Sequence, residues 1–188
     1  MKHLYAKYSE ELNPFRIRSL YVRAIFATIG LVSVLSFICS CSESKKKKKA
    51  EAAKNHIKKG LSAFRTGDFD TAMEEYRTAC REQPKSPEAH NYLGMALRYK
   101  YHETGDDTFR QEEVDAFTRA VELKNDWWVA QINLATTLWE IGNRKRASKH
   151  YENGLKIKPD HPDATAIKRR IATADSLGLE KKKKEKEN

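Results

Sequence analysis

The side chains that could do catalytic or metal chemistry are few and scattered in this 188-residue chain. None of its six histidines lies three or four residues from another, the spacing that would place two metal ligands on one turn of a helix. The sequence also lacks a glycine-rich phosphate loop and a nucleophile elbow. We therefore expect no catalytic residue, no metal site and no cofactor, and we do not expect an enzyme.

The amino-terminal part of the chain has the pattern of a secretory signal. Five lysines and arginines precede an uncharged stretch, residues 24–38, which then meets Cys39, Ser40 and Cys41. A positive flank, an apolar core and a small-residue processing site are typical of a signal peptide. An uncleaved membrane anchor is the alternative, because the apolar run reaches about 17 residues if it continues to Ser40, near the lower limit for a span. An inverted anchor that holds residues 45–49 in the cytoplasm is a further alternative.

Residues 38–41, Ile-Cys-Ser-Cys, resemble the lipobox of bacterial lipoproteins. The resemblance implies that Cys41 is lipidated and becomes the first residue of the mature protein, with acyl chains that anchor it to a membrane. Ser42, rather than aspartate, would favour the outer membrane. The expected location is therefore the bacterial cell envelope, on an outer membrane and facing the periplasm. Cys80 is then left single, and we expect an inert, buried or half-buried thiol.

A pattern of residues recurs along the rest of the chain. Gly60 to Gly94 and Phe117 to Tyr151 both span 34 residues, whereas Gly94 to Ala135 spans 41, so the middle copy contains seven extra residues. Repeats of this length are supersecondary units that must stack to bury their apolar faces. The three copies are Ala72, Tyr76, Ala79 and Pro84; Glu113, Phe117, Ala120 and Asn125; and Ala147, Tyr151, Gly154 and Pro159.

Each copy predicts a pair of helices. The small and aromatic residues recur at spacings of four and three, which places them on one face of a second helix. Gly67, Gly105 and Gly142 precede the second helices, where the chain must turn. Pro84 and Pro159 end two of these helices, because proline has no amide donor and clashes with the preceding turn.

The 34-residue period, the helix-turn-helix punctuation and the small and aromatic placements resemble the tetratricopeptide repeat family over about residues 53–160. The resemblance implies an all-α fold, an α-solenoid of three helix-turn-helix repeats with a C-terminal capping helix. Glu113 departs from the alanine that the family prefers. The seven extra residues are a second departure, and we expect one added helical turn before Gly105 followed by a longer loop at residues 105–107.

These patterns predict four parts of the chain. The parts are a signal peptide, 1–40; a lysine-rich tether, 41–52; a repeat domain, 53–177, with repeats at about 53–86, 87–127 and 128–161 and a cap at 162–177; and a disordered lysine-rich tail, 178–188.

The charge is concentrated at the two ends of the chain. The formal net charge is +10, but residues 50–179 hold only +1. A nearly neutral repeat domain is not typical of a protein that reads nucleic acid, so we expect no nucleic-acid partner. Residues 45–49, five lysines, are expected to form a solvated tether, and weak attraction to anionic lipid or envelope polymer is a second role for them.

In the tetratricopeptide family the first helices of successive repeats line a concave groove that holds a peptide. The resemblance places there Lys54, Ile57, Leu61, Phe64 and Arg65 from the first repeat; Glu88, Asn91, Met95, Arg98 and Tyr99 from the second; and Val129, Ile132, Thr136, Trp139 and Glu140 from the third. Aromatic residues, methionine and arginine are enriched at binding surfaces. The members expected to be exposed and to contact a partner are Phe64, Arg65, Arg98, Tyr99 and Trp139. The alternative for Leu61, Met95 and Ile132 is that they fill the seam between helices.

Other residues have a structural and a functional interpretation. His56 and His90 are equivalent in successive repeats, which favours a structural or groove-lining role over a metal site. Trp127 and Trp128 cannot both face inward on a helix. We expect one to pack under the inserted loop and the other to be partly exposed; alternatively, both pack against that loop and its Phe109.

The leading functional hypothesis is a non-enzymatic adaptor, tethered to a membrane, whose groove binds another envelope protein. Repeat lipoproteins of this layout resemble the pilotin-like proteins of type IV pilus systems, which help a secretin assemble. One alternative is a lipoprotein that binds envelope polymer or anionic lipid through its lysine tails. Another is a non-catalytic accessory subunit of an envelope enzyme or secretion complex. The identity of the partner and the oligomeric state stay open.

Overall fold

The computed structural model of the protein describes the backbone of residues 43–187 and the side chains of residues 43–176. Within these residues the chain forms seven α-helices and no β-strand. The helices are α1, of which residues 43–65 are described, α2 (Phe69–Glu82), α3 (Pro87–Thr104), α4 (Asp107–Leu123), α5 (Trp128–Glu140), α6 (Arg144–Ile157) and α7 (Ala164–Glu187).

The helices stack in chain order as three antiparallel pairs and a cap. From α2 onward each helix packs mainly against the next one, and α3 also contacts α5. Helix α1 packs on α2, where Gly60 lies directly against the ring of Tyr76. The predicted α-solenoid of three helix-turn-helix repeats with a capping helix is therefore confirmed.

Glycine marks the turn inside each pair of helices. Gly67, Gly105 and Gly142 have φ angles of 80°, 71° and 81°, a left-handed conformation that disfavours residues with a Cβ. Asp68 and Asp106 then cap the following helices by accepting hydrogen bonds from backbone amides. These turns confirm the predicted boundaries between first and second helices.

The inserted residues lengthen both helices of the second repeat. Helices α3 and α4 have 18 and 17 residues, whereas α5 and α6 have 13 and 14. The added turn predicted before Gly105 is confirmed, but the longer loop is wrong, because only Gly105 and Asp106 separate α3 from α4. Seven residues make about two helical turns, so one turn added to each antiparallel helix leaves both buried faces in register.

Small residues opposite aromatic rings form the core of each repeat. Tyr76, Phe117 and Tyr151 are fully buried on α2, α4 and α6. A Cβ on Gly94 would lie 2.7 Å from the ring of Phe117, so α3 can approach α4 only because this position carries no side chain. The third repeat has Ala135 at the equivalent position, also fully buried.

Both ends of the repeat domain differ from the sequence expectations. Helix α1 is already helical at residue 43, inside the predicted tether, and α7 continues to Glu187, through most of the predicted disordered tail. Lysine and glutamate favour helix, and each segment extends a helix that packing has already nucleated. The prediction of disorder for residues 178–187 is therefore not what the structure shows.

The membrane-related predictions fall largely on other residues. The signal peptide, residues 1–40, and the lipidation site, Cys41, lie outside the described residues and stay predictions. Among residues 43–187, no helix is both long enough and apolar enough to cross a membrane.

Candidate functional site

The predicted groove residues lie on the first helices of the repeats, α1, α3 and α5, and their exposure varies widely. Lys54, Arg65, Glu88, Tyr99 and Glu140 are exposed; Ile57, Leu61, Phe64, Met95, Arg98, Val129, Ile132, Thr136 and Trp139 are half-buried; and Asn91 is buried. The set therefore divides into residues that hold the helices together and residues that remain available at the surface.

Asn91, Met95 and Ile132 belong to the seam between helices. The Asn91 carboxamide oxygen accepts a hydrogen bond of 3.0 Å from Asn133 Nδ2, which links α3 to α5. Met95 and Ile132 pack against the core of the third repeat. Ile132 also fills the space above Gly154 on α6. The seam interpretation therefore holds for Met95 and Ile132.

Arg98 is not the exposed contact residue that the sequence predicted. Its side chain is only 16% exposed, and its Nε donates to Glu113 Oε1 at 2.7 Å. Its Nη2 donates to the carbonyl of Asn133 and to Thr137 Oγ1, at 2.8 and 2.7 Å. The guanidinium thus ties the second repeat to the third, because all of these donors are used within the protein.

Glu113 explains this arrangement, because its side chain is fully buried on α4. Its second oxygen accepts a hydrogen bond of 2.7 Å from Arg110, and Thr137 donates to the first oxygen at 2.6 Å. Arg110 also pairs with Glu140 on α5 at 2.9 Å. The buried ion cluster, Arg98, Arg110 and Glu113 with the exposed Glu140 at its edge, has two charges of each sign and a hydrogen-bonded carboxylate at its centre. The glutamate at the alanine position is therefore a structural element.

An aromatic rim, Phe64, Phe69 and Tyr99, lies where the first repeat turns. The rings of Phe64 and Tyr99 meet edge to face at 5.1 Å, and Phe69 stacks on Tyr99 at 5.1 Å. Tyr99 is nevertheless 48% exposed. Sequence reasoning missed Phe69, although its place directly after the Gly67-Asp68 turn brings it back toward the end of α1.

A C-terminal cluster surrounds Trp139: Thr136, Trp139, Arg144, Tyr151 and Arg170. The guanidinium carbons of Arg144 and Arg170 lie 5.2 and 5.9 Å from the centre of the indole. Arg170 Nη1 donates to the Tyr151 hydroxyl at 2.6 Å, and that hydroxyl donates to Thr136 Oγ1 at 3.2 Å. Sequence reasoning missed Arg170, although it follows Thr136 by 34 residues, one repeat period, on the capping helix.

The tryptophan pair is not where it was expected. Trp127 occupies the position just before α5 without a capping side-chain hydrogen bond, and Trp128 packs edge to face on His161, at 5.3 Å. Phe109 instead packs against the core of the first and second repeats. The expected contact with the inserted turns is wrong, because the start of α5 adjoins the end of α4, and the insertion lies at the other end of that helix.

His56, His90 and Cys80 have structural partners. His56 Nδ1 lies 2.6 Å from Glu75 on α2. His90 lies 3.1 Å from the Pro84 carbonyl and 3.6 Å from the Cys80 sulfur. Burial raises the pKa of the Cys80 thiol to about 11 and lowers the pKa of His90, so this pair does not favour a thiolate. In the part of the chain that the structure describes, no cluster of histidine, cysteine and acidic residues could hold a metal ion.

Comparison with known families agrees with this architecture. A family model described as TPR repeat matches residues 60–98, and one described as tetratricopeptide repeat matches residues 130–161. The fold is a tetratricopeptide-repeat solenoid. Residues 99–129 lie between the two matches, and they contain the added turns and Glu113.

A curated relative and two solved structures share the repeats. Human protein IFIT1 homolog B is 29% identical over 108 residues, 50% of this chain and 23% of that protein, so the chain spans less than a quarter of the relative. The Arabidopsis OM64 TPR domain is 16% identical, with a TM-score of 0.59 over 66% of this chain and 98% of that one. The first TPR of Spaghetti (RPAP3), bound to the HSP90 peptide SRMEEVD, is 21% identical, with a TM-score of 0.59 over 68% and 95%.

Proposed function

We propose that the protein is a non-catalytic adaptor that binds a peptide segment of another protein on the surface of α1, α3 and α5. The aromatic rim carries the proposal. Tyr99 is 48% exposed, yet contacts with Phe64 and Phe69 hold its ring in one place. Rigid, partly exposed aromatic residues are typical anchors of protein interfaces. The solved repeat domain of Spaghetti, which has the same fold, is bound to a peptide.

Crosslinking in intact cells followed by mild detergent extraction tests this proposal. Tyr99→Ser should weaken capture of the partner by about tenfold, since an aromatic anchor accounts for that much binding. Ile157→Ser is the matched control, because Ile157 is also an exposed apolar residue, at 40%, but lies at the end of α6. Both variants should keep their helical circular dichroism. Equal capture by both variants would contradict the proposal.

We also propose that lipidated Cys41 tethers the adaptor to a membrane. The resemblance of residues 38–41 to a lipobox supports this lipid anchor. The tether would place the repeats beside other envelope proteins, on the periplasmic face of an outer membrane. Cys41→Ala should prevent labelling with a radioactive fatty acid and move the protein from the membrane fraction to the soluble one. Labelling that persists in this variant would contradict the lipid anchor.

We propose that the protein partner is a component of a pilus or secretion complex. The resemblance of the predicted layout to that of pilotin-like proteins supports this choice. The crosslinked partner identified by mass spectrometry decides this point. A secretin or pilus subunit recovered with the native chain, and lost in Tyr99→Ser, would support it. Recovery of a partner from another compartment would contradict a pilus or secretion component as the partner, but it would not contradict peptide binding.

The exposed lysines of α1 favour a second candidate function. Residues 45–49 are consecutive exposed lysines on the first described turns of the helix. Such a segment attracts anionic lipid or envelope polymer at low ionic strength. In a Cys41→Ala background, which has no lipid anchor, replacing all five lysines with glutamine should abolish retention on phosphatidylglycerol vesicles in low salt. Unchanged retention would contradict this candidate.

A further inference from the structure

We propose that the C-terminal cluster binds carboxylate side chains of an acidic segment in the protein partner, which rests on the adaptor function proposed above. Trp139 lies on α5 among the predicted groove residues, and Arg170 lies on the capping helix α7, 34 residues after Thr136. The capping helix thus places a cation beside the groove residue Trp139. The site is formed by Trp139 with the guanidinium groups of Arg144 and Arg170 near its ring.

The distribution of charge supports an acidic occupant. Residues 128–176 contain nine lysines and arginines and five acidic residues, a net charge of +4. Residues 53–127 contain 12 lysines and arginines and 14 acidic residues, a net charge of −2. The nearly neutral total for the repeat domain therefore conceals a positive third repeat and cap. A surface of this sign attracts and orients acidic partners.

The two arginines of the cluster differ from Arg77, Arg98 and Arg110 in their partners. Arg77 forms a forked pair with Glu112, and Arg98 and Arg110 both bind Glu113. By contrast, neither Arg144 nor Arg170 has an ion pair among residues 43–176. Their guanidinium carbons lie 5.2 and 5.9 Å from the centre of the same indole.

The geometry prepares these arginines for a ligand. The hydrogen bond from Arg170 to the Tyr151 hydroxyl, 2.6 Å long, uses one donor and fixes the side chain, which leaves other N–H groups available. A guanidinium beside an aromatic ring retains N–H donors that can grip a carboxylate in a forked pair. The indole can contact an apolar residue next to the acidic one. The structure thus favours a segment in which acidic and apolar residues adjoin.

Peptide arrays and fluorescence anisotropy test the site with the full-length protein. One array contains 12-residue peptides, each with three acidic residues and one aromatic residue. The second array contains the same peptides with asparagine and glutamine in place of the acids. For the peptides that bind most tightly, the amide form should bind about tenfold more weakly than the acidic form. The affinity of the acidic form should also fall at least tenfold between low and high salt, because salt screens contacts between charges.

Matched variants assign this binding to the cluster. Arg144→Gln and Arg170→Gln should each weaken binding of acidic peptides about tenfold, since each removes a charged donor. Arg169→Gln is the control, because it removes the same charge from an exposed position beside Arg170 on α7. Arg144 is itself exposed, so its replacement should not change the thermal midpoint, and this variant keeps the test valid if Arg170→Gln unfolds.

The outcomes separate this proposal from the adaptor function. Equal affinity for acidic and amide peptides, or no effect of Arg144→Gln, would overturn the carboxylate site while peptide binding itself stands. No binder in either array would overturn the carboxylate site, and the adaptor function would fall with it only if Tyr99→Ser and Ile157→Ser also captured the partner equally. A third outcome is that the protein binds phosphatidylglycerol vesicles but no peptide, and that Arg144→Gln loses the vesicle binding. This outcome would assign the cluster to a lipid surface and overturn the proposal.

Discussion

A buried glutamate occupies a position where the neighbouring repeats carry alanine. The equivalents of Glu113 are Ala72 and Ala147, and all three are fully buried. Two arginines and a threonine satisfy the Glu113 carboxylate, and those arginines in turn bind α5. The Glu113 carboxylate therefore links α4 to α3 and α5 through hydrogen bonds and ion pairs. An alanine at this position would allow the helices to pack closely but could not form these bonds.

Replacing Glu113 with alanine should destabilise the protein strongly. The change leaves Arg98 and Arg110 partly buried without their shared carboxylate, and breaking a buried pair costs about 3–5 kcal/mol. Glu112→Ala is the matched control at the next residue, where the pair with Arg77 is about two-fifths exposed, so the cost should be below about 1 kcal/mol. Urea unfolding measures both, and equal losses would show that Glu113 contributes no more than a surface pair.

Two equivalent tyrosines should respond in opposite ways to loss of the hydroxyl. Among the described residues, the buried Tyr76 hydroxyl has no hydrogen-bond partner, whereas that of Tyr151 bonds to Thr136 and Arg170. An unsatisfied buried hydroxyl costs free energy, so Tyr76→Phe should stabilise the fold by about 1 kcal/mol and Tyr151→Phe should destabilise it by a similar amount. Thermal unfolding of the two variants gives the comparison. A loss of stability in both would mean that Tyr76 has a partner such as bound water.

Among the elements, α7 closes the solenoid. Ile167 is buried in the core of the third repeat, where it packs with Leu138 and Tyr151. Terminal helices of repeat proteins cover an apolar face that would otherwise meet water. The last buried residue with a described side chain is Ala174, more than a dozen residues before the end of the chain.

We therefore expect the first part of α7 to be required for the stability of the fold and its last part to be dispensable for it. Ile167→Asp should destabilise the protein by about 3 kcal/mol or more, because it buries an unpaired charge in the core. Deletion of residues 178–188 should leave the thermal midpoint unchanged. A large loss of stability in the deletion variant would show that the lysine-rich end of α7 also packs on the repeats.

Helix pairs and their boundaries were predictable from the sequence because they depend on local rules. Glycine at Gly67 and Gly142, and proline at Pro84, act through backbone conformation within a few residues. The contacts of Arg98 were not predictable in this way. Its partners Glu113 and Thr137 are 15 and 39 residues away, and they meet it only after the repeats have stacked.

At the scale of the whole molecule, cooperativity depends on the interface between the second and third repeats. In a linear stack each unit contacts only its neighbours, so one weak interface can let a part of the chain unfold alone. Here Asn91 bonds to Asn133, Arg98 bonds to Thr137, and Arg110 pairs with Glu140 across that interface. These polar contacts should make the three repeats and the cap unfold together.

Native-state hydrogen exchange tests this cooperativity. In the unaltered protein, the slowest amides of α3 and α6 should exchange through one global opening. Arg98→Met removes the two bonds from Arg98 to α5 and leaves Glu113 with Arg110, so the amides of α5 and α6 should then exchange at least tenfold faster than those of α2. Arg77→Met, which breaks an exposed pair between α2 and α4, should leave a single opening. If amide exchange in Arg98→Met were faster by the same factor in all helices, the buried ion cluster would stabilise the whole solenoid without coupling the second repeat to the third.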